Sequence, residues 1–257
     1  MKIAIIQATL YWENPTANRN YFEEKINSIT EKIDLIVLPE MFTSGFTMNP
    51  FAVAETMQGE TMQVLKTLAI AKKCAITGSI VITENNSFYN RLVFVFPTGE
   101  IEYYDKKHLF TLAGEDKVYT PGNQKLIVSY KGFKICPLIC YDLRFPVFSR
   151  NTEDYDILIY VANWPKPRIN AWNILLKARA VENMCYTIGV NRTGFDTNNH
   201  EYIGHSQAID FLGNYLLEPQ EKEGVFILYL DKDKMLENRK RFGFLNDKDV
   251  FKLQSFN

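Results

Sequence analysis

The chain has 257 residues, of which 46% are apolar and 14% aromatic, so it can bury a substantial core. Its net charge of −1 gives no electrostatic basis for binding nucleic acid or an anionic membrane. No segment approaches the roughly 20 apolar residues that span a bilayer, and the apolar run of the N-terminus is too short for a signal peptide. Four cysteines in apolar, strand-like settings fit a reducing compartment, so we expect a cytoplasmic protein without nucleic-acid or membrane partners.

The first half of the chain predicts alternating strands and helices. Asn14-Pro15 is typical of a helix start, with an N-cap side chain followed by proline in the first turn. In order, the predicted elements are a strand at 2–8, a helix from Asn14, a strand at 34–38, a helix at 59–73, two hairpin strands at 74–83 and 88–97, and a strand at 101–105.

Two ionisable residues stand at the ends of these strands. Glu40 follows the second predicted strand and Lys106 follows the fifth, and open α/β sheets place their sites at the carboxyl ends of strands. Alone, Glu40 would be a solvated loop residue and His108 a residue that supports the core. The irregular segment 111–122 contains Glu115, and loops of this length within a compact domain tend to be functional.

The second half continues the pattern. Its predicted elements are strands at 124–130 and 133–139, a helix at 145–151, a strand at 156–162, a helix at 168–183, strands at 185–191, 202–211 and 225–230, and a helix at 232–241 before an extended tail to Asn257. Pro137 lacks a ladder N–H, which predicts a sheet edge or a bulge there. No Gly/Ser/Pro-rich linker divides the chain, so we expect one layered α/β domain over residues 1–257.

Cys140 occupies the junction between the predicted strand 133–139 and the helical segment that follows. The free N–H groups of a helix start point toward whatever binds there, and such a setting lowers the pKa of a thiol and activates it. On this stretch alone a buried structural cysteine is the simpler interpretation. Cys136 and Cys140 could also suggest a metal or redox pair, but the strand setting and the missing second pair argue against it.

Glu40, Lys106 and Cys140 together support nucleophilic acyl transfer. In that chemistry the cysteine attacks an electrophilic carbon, the carboxylate takes the thiol proton, and the lysine ammonium stabilises the oxyanion. Ser206, in GHSQA, superficially resembles a nucleophile elbow, but the second glycine is missing and a structural role is the better interpretation.

Five motifs in order resemble those of the nitrilase (carbon–nitrogen hydrolase) superfamily over nearly the whole chain. They are LPEMF, YDKKHLF, ICYDLRFP, KARAVENM and GHSQAIDFLG. The resemblance implies a four-layer α-β-β-α sandwich, commonly a homodimer. The three histidines and four cysteines show no spacing typical of metal ligands, so we expect no metal and no other cofactor.

The resemblance also implies roles for individual residues. Glu40 would be the general base, Lys106 the oxyanion-stabilising lysine and Cys140 the nucleophile that forms a thioester. Lys106 is preferred over Lys107 because the motif lysine stands two residues before the histidine. Glu115 matches the second glutamate, which positions substrate.

Tyr141 and four other residues are the candidates for substrate binding. The backbone N–H of Tyr141 would complete the oxyanion hole, and Phe42, Asn163 and Trp164 could line the pocket, although Trp164 could equally be core. Arg144 suits bidentate binding of a carboxylate. A structural salt bridge of Arg144 with Asp142 or Glu182 is an equal alternative.

Among family branches the chain most resembles the omega-amidases, which release ammonia from 2-oxo dicarboxylic acid monoamides such as 2-oxoglutaramate and 2-oxosuccinamate. The small-molecule amide is thus the expected partner. An N-carbamoyl amino acid amidohydrolase, an aliphatic amidase or a true nitrilase are alternatives within the family. A non-catalytic scaffold is a further alternative, which the presence of Glu40, Lys106 and Cys140 disfavours.

Overall fold

Two six-stranded β-sheets form the centre of the fold. The computed structural model describes residues 1–253. In chain order the helices and strands are β1 (Lys2–Gln7), α1 (Pro15–Ser28), β2 (Leu35–Val37), α2 (Glu60–Lys72), β3 (Ala75–Glu84), β4 (Ser87–Val95), β5 (Ile101–Asp105), β6 (Val128–Tyr130), β7 (Phe133–Ile139), α3 (Pro146–Ser149), β8 (Ile157–Val161), α4 (Ile169–Asn183), β9 (Tyr186–Val190), β10 (Thr193–Phe195), β11 (Glu201–Ile203), β12 (Ser206–Ile209), β13 (Tyr215–Gln220), β14 (Gly224–Tyr229) and α5 (Lys232–Phe242).

The strand order is β14-β1-β2-β3-β4-β5 in the first sheet and β13-β12-β9-β8-β7-β6 in the second, and β10 and β11 form a separate pair. One core lies between the sheets and joins residues such as Ile5 and Val37 to Leu138 and Ile159. A second core packs Phe22 and the rest of the apolar faces of α1 and α2 onto the first sheet, and α4 lies against β9 and β12 of the second sheet. The predicted α-β-β-α sandwich is confirmed.

The sheet topology gathers the carboxyl ends of several strands at one edge. The strand β2 runs parallel to β1 and β3, and two antiparallel pairings make β5 run in the same direction as β3. In the second sheet β7, β8 and β9 are parallel. Each sheet therefore delivers the residues after its strands to a common region, which is where open α/β sheets carry their sites.

Pro137, where an edge or a bulge was predicted, lies in β7, which is an inner strand of the second sheet and pairs with β8 at this position. The strand β6 pairs with β7 only from Val128 opposite Ile135 to Tyr130 opposite Phe133. The same register would bring Leu126 opposite Pro137, which has no N–H to continue the ladder. The predicted strand 124–130 is therefore too long at its start.

Three other predictions of elements were wrong in detail. The predicted strand 202–211 is divided into β11 and β12, because Gly204 and His205 take left-handed backbone conformations with φ of 75° and 62°. The strands β10 and β13 were missed, and β13 carries Pro219 at the sheet edge, where proline is tolerated. The predicted helix 145–151 is the single turn α3.

The C-terminal part of the chain has one further element after α5, a 3₁₀ turn at Phe244–Asp247. The last four residues of the predicted tail lie outside the described residues. Within residues 1–253, no helix has both the length and the apolar character that a membrane crossing requires.

Candidate active site

Glu40, Lys106 and Glu115 form one buried cluster with no side-chain exposure. Lys106 Nζ lies 2.9 Å from Glu40 Oε1, and 2.9 Å and 3.0 Å from the two carboxylate oxygens of Glu115. Burial alone would lower the pKa of the Lys106 ammonium. The negative charges of Glu115 and Glu40 have the larger, opposite effect, so the pKa is raised. Lys106 is therefore a fixed cation at neutral pH.

Asn90 of β4 joins the two glutamates and was missed in the sequence. Its Nδ2 donates to Glu40 Oε1 at 2.8 Å and to Glu115 Oε1 at 3.3 Å. A polar residue within the apolar part of β4 was the available signal. Burial raises the pKa of Glu115, although Lys106 and the N–H of Phe110 act in the opposite direction. The cluster thus holds two carboxylates against one ammonium.

The other carboxylate oxygen of Glu40 faces Asn163, which follows β8. The backbone N–H of Asn163 donates to Glu40 Oε2 at 2.8 Å, and Asn163 Nδ2 donates to the backbone carbonyl of Glu40 at 2.6 Å. Met41, next in the chain, has a left-handed backbone with φ of 42°. Its N–H donates to Ser79 Oγ at 2.8 Å, which anchors the turn that carries Glu40.

Cys140 is half-buried at the carboxyl end of β7 and has a left-handed backbone with φ of 43°. Such a conformation costs on the order of 1–3 kcal/mol for a residue other than glycine and persists only where the surroundings impose it. Here Asp142 imposes it, because its Oδ2 accepts the N–H of Ile139 at 3.0 Å and closes the 3₁₀ turn Cys140–Arg144. The first N–H groups of that turn, including that of Tyr141, are not used by helical bonds.

Asp142 also connects the cysteine turn to the lysine loop. Its Oδ2 accepts the hydroxyl of Tyr104 at 2.8 Å, and its Oδ1 lies 3.1 Å from the backbone N of His108 and 2.8 Å from His108 Nδ1. The imidazole of His108 stacks on Phe145 at 3.7 Å between centroids. His108 is therefore a supporting residue that fixes Lys106 relative to Cys140.

The thiol of Cys140 lies near these charged side chains but is itself uncharged at neutral pH. Burial and the negative charge of Glu40 raise its pKa well above the ordinary value, while Lys106 and the N–H of Asn163 act to lower it. At neutral pH the sulfur is thus protonated at rest, and a thiolate forms only when a base removes the proton. Among the charged neighbours, the Glu40 carboxylate has the largest effect on the pKa of this thiol.

A cavity of about 590 Å³ opens onto Lys106 and Cys140. Tyr141, Arg144, Asn163 and Trp164 line it, as the sequence predicted for the pocket residues, and further lining residues include Trp12, Glu13, Phe46, Phe110, Arg168 and His200. Trp164 is only 3% exposed and also packs on Trp172, so it belongs to both the cavity wall and the core.

Arg144 and Arg168 line the cavity as cations together with Lys106, while Glu13 and Asp196 line it as carboxylates. The guanidinium of Arg144 lies over the ring of Trp164 at 5.0 Å, and that of Arg168 lies over Phe110 at 5.1 Å. Neither forms a salt bridge with a carboxylate among the described residues. The alternative of a structural ion pair for Arg144 is therefore wrong.

The two carboxylates proposed as partners of Arg144 are engaged elsewhere. Asp142 is used by the hydrogen bonds described above, and Glu182 pairs with Arg179 at 3.0 Å. Arg179 also donates to the carbonyl of Leu143 at 2.7 Å, so the KARAVENM segment supports the cysteine turn.

The prediction that Phe42 lines the pocket was wrong. Phe42 is 1% exposed and packs edge-on against Phe22 of α1, with 5.2 Å between ring centroids. Its side chain therefore lies in the core between the first sheet and the helices. Phe46 lines the cavity instead, and its ring lies 5.1 Å from Lys106 Nζ.

Two residues with alternative interpretations lie away from the cavity wall. Cys136 is fully buried in the core between the sheets and unpaired. Ser206 is buried, and its Oγ accepts the N–H of Asn191 at 2.9 Å, which fits a structural role. The described residues contain no group of three or more His, Cys, Asp or Glu side chains that could hold a metal ion.

The model of the family described as carbon–nitrogen hydrolase matches residues 2–240. The chain belongs to this family. This carbon–nitrogen hydrolase is 40% identical to a protein named omega-amidase YafV from Yersinia enterocolitica, over 98% of both chains. It is also 31% identical to a 2-oxoglutaramate amidase from Bacillus subtilis, over 97% of this chain and 98% of the relative.

A solved structure agrees closely with the fold of this carbon–nitrogen hydrolase. It is XC1258 from Xanthomonas campestris, described as a CN-hydrolase superfamily protein with an arsenic adduct in the active site. The two share 40% identity and a TM-score of 0.96 over 99% of each chain. The predicted family and its sandwich fold are both confirmed.

Proposed function

We propose that this carbon–nitrogen hydrolase is an omega-amidase. It releases ammonia from the terminal amide of 2-oxo dicarboxylic acid monoamides, with 2-oxoglutaramate and 2-oxosuccinamate as the expected substrates. One observation carries the chemistry: the thiol of Cys140 opens onto a cavity beside the buried cluster of Glu40, Lys106 and Glu115. The names of the 40% and 31% identical relatives support the substrate class.

In the first half of the reaction Glu40 takes the proton of Cys140, and the sulfur attacks the amide carbon. The developing oxyanion is held by the Lys106 ammonium and the N–H of Tyr141. Glu40 then gives its proton to the amide nitrogen, the C–N bond breaks and ammonia leaves a thioester on Cys140. The fixed charge of Lys106 suits this role because its pKa is raised by two neighbouring carboxylates.

In the second half Glu40 takes a proton from water, which attacks the thioester carbon. The same oxyanion donors act again, the C–S bond breaks, and Cys140 recovers its proton from Glu40 as the acid product leaves. Glu115 accepts two hydrogen bonds from Lys106 and one from the N–H of Phe110 at 2.6 Å. We assign Glu115 to positioning Lys106 and the substrate.

Arg144 and Arg168 are the residues that would bind the carboxylate of such a substrate. Both line the cavity and both lie on aromatic rings, which holds a guanidinium in place while leaving its N–H groups available. A 2-oxo acid offers a carboxylate and a neighbouring carbonyl oxygen, and both accept hydrogen bonds from such donors.

Ammonia release from a panel tests the proposal, with Cys140→Ser protein as the blank. The panel contains 2-oxoglutaramate, 2-oxosuccinamate, an N-carbamoyl amino acid, a simple aliphatic amide and a nitrile. Preference for the 2-oxo amides is the expected result. Activity only on a compound other than the 2-oxo amides would reject the proposed substrate class. Inactivity on all five compounds would reject the proposed enzyme and favour a non-catalytic scaffold.

We also propose a cytoplasmic homodimer. Four free cysteines fit a reducing compartment. Ile174 and Val181 of α4 are 67% and 48% exposed. Leu212 is 45% exposed, and the residue that follows it, Gly213, lies against the side chain of Val181. Such a contiguous apolar surface suits a second copy. Light scattering after size exclusion tests it, and a monomer at micromolar concentration would reject it.

A further inference from the structure

Asn163 carries a hydrogen-bonding atom that the protein leaves without a partner. The residue is 5% exposed, and both of its N–H-bearing groups donate to Glu40. Its carbonyl oxygen Oδ1 is buried and accepts no hydrogen bond from residues 1–253. An unsatisfied buried acceptor costs about 1–3 kcal/mol, so its presence needs an explanation.

The contacts fix which end of the Asn163 amide is the oxygen. Nδ2 lies 2.6 Å from the backbone carbonyl of Glu40 and 3.5 Å from Glu40 Oε2. Both of these atoms are acceptors, so a rotated amide would place oxygen against oxygen. The donor end must therefore face Glu40, and Oδ1 points away from it.

Asn90 provides an informative comparison within the same cluster. Its Oδ1 is also buried without a partner, and its Nδ2 also donates to the carboxylate of Glu40. Asn90 is fully buried behind the cluster, however, whereas Asn163 lines the cavity together with Cys140 and Lys106. Of these two residues, only Asn163 is among those that line the space in which a substrate would lie.

We infer that Asn163 Oδ1 accepts a hydrogen bond from the N–H of the scissile amide and holds the leaving nitrogen beside Glu40. This assignment rests on the proposed amidase function. A primary amide nitrogen carries two N–H donors and remains a donor after Cys140 has added to its carbon. Since Asn163 is bonded to Glu40 through its other groups, it places that nitrogen next to the carboxylate that must protonate it.

The same contact would make Asn163 a specificity residue for amides over esters. An ester oxygen has no N–H, and its lone pairs would face Oδ1 without a hydrogen bond. A site that holds an acceptor for a substrate N–H discriminates against the analogue that lacks it. A merely structural Asn163, acting only through Glu40, would lower the amide-to-ester ratio no further than the loss of the Asn90 hydrogen bond to the same carboxylate does.

The test compares kcat/KM for 2-oxoglutaramate and for the ω-methyl ester of 2-oxoglutarate in wild-type protein and in Asn163→Ala. Both substrates form the same thioester on Cys140, so any difference between them arises during its formation. We expect Asn163→Ala to lower the amide-to-ester ratio of kcat/KM by about tenfold, which corresponds to the free energy of one lost hydrogen bond. Because both rates come from one preparation, a partly unfolded variant leaves the ratio unchanged.

Two further variants separate the inference from a structural effect. Asn163→Ser offers a hydroxyl near the Glu40 carbonyl but no carbonyl acceptor, and it should change the ratio in the same direction. Asn90→Ala perturbs the same carboxylate without touching the cavity, so it measures how far the ratio falls through Glu40 alone, and the Asn163 variants should lower the ratio further. A ratio that falls no further in the Asn163 variants than in Asn90→Ala would overturn the inference and leave the proposed amidase function standing. Wild-type protein that hydrolyses neither substrate would overturn the proposed function itself.

Discussion

Both carboxylate oxygens of Glu115 lie within 3.0 Å of Lys106 Nζ. Glu115 belongs to an irregular loop and contacts the Lys106 ammonium at two points. The same ammonium also lies 2.9 Å from Glu40 Oε1. The loop is itself anchored by the N–H of Phe110 on Glu115. The position of the Lys106 charge, and with it the proposed oxyanion site, therefore depends on Glu115.

Glu115→Gln should lower kcat/KM for the amide substrate by about 10- to 100-fold. The amide side chain keeps the shape of the glutamate but removes the negative charge from two charge-assisted hydrogen bonds, which are each worth about 1.5–3 kcal/mol. Steady-state kinetics measure the effect. Asp116→Asn is the matched control, because Asp116 is the exposed neighbour and its charge is solvated. Equal activity of both variants would contradict the assigned role.

Lys106→Met should destabilise the protein most at high pH. The pKa of Glu115 is already raised in the folded state, and Lys106 opposes that rise. Removing Lys106 raises the folded pKa further, so the folded state binds a proton more tightly than the unfolded state. The resulting stability is present below the unfolded pKa and is lost as pH rises through the folded pKa.

We expect the free energy of unfolding of Lys106→Met to be lower than that of the wild type by about 3–5 kcal/mol at about pH 8, with a smaller deficit at about pH 5. Urea unfolding at the two pH values measures it. Lys107→Met serves as the control for loss of one positive charge, because Lys107 is partly exposed. A deficit that does not depend on pH would show that no carboxylate takes up the proton.

The sequence predicted most of the fold because its strands are strongly apolar and its helices are periodic. Residues 101–105 and 133–139 were predicted to the residue. The errors fall where tertiary contacts override local pattern. Gly204 and His205 break a strand-like run because the chain passes close to Gln7, where a Cβ on Gly204 would lie 2.3 Å from Gln7 Nε2.

The candidate catalytic residues were easier to predict from the sequence than the residues that line the cavity. Glu40, Lys106 and Cys140 each follow a strand, so their convergence could be inferred from topology. Asn90 and Arg168 could not be found in this way, because their positions depend on contacts between residues far apart in sequence. Asn90 lies 50 residues from its partner Glu40, and Arg168 lies 58 residues from the Phe110 ring beneath it. Phe42 was misplaced because periodicity does not say on which side of a turn a ring packs.

Arg144→Lys should raise KM for 2-oxoglutaramate by about 10-fold or more and leave a neutral aliphatic amide nearly unaffected. Lysine keeps the charge but cannot make a two-point contact with a carboxylate. Arg168→Lys should act in the same direction if both guanidinium groups bind the acid. Lys166→Ala is the control, because Lys166 is exposed and pairs with Glu201 outside the cavity wall. Equal effects on both amides would assign the arginines to structure.

Iodoacetamide should alkylate Cys140 in the native protein much faster than the other three cysteines. Cys74, Cys136 and Cys185 are at most 1% exposed, whereas Cys140 lines the cavity. Burial raises the pKa of Cys74 to about 11 and that of Cys185 to about 12, so their thiolate populations are also small.

The pH dependence of this labelling follows from the Cys140 pKa. Because that pKa lies well above the ordinary value of 9.0, the thiolate fraction and the alkylation rate should still be rising as pH passes through 9. A plateau below that pH would mean that the resting cysteine is already ionised. Peptide mass spectrometry after timed quenching gives the rate at each cysteine, with Cys140→Ser protein identifying background. Equal alkylation rates at all four cysteines in the native protein would contradict the assignment of Cys140 as an accessible nucleophile. We expect the four rates to become equal only when the protein is unfolded in urea.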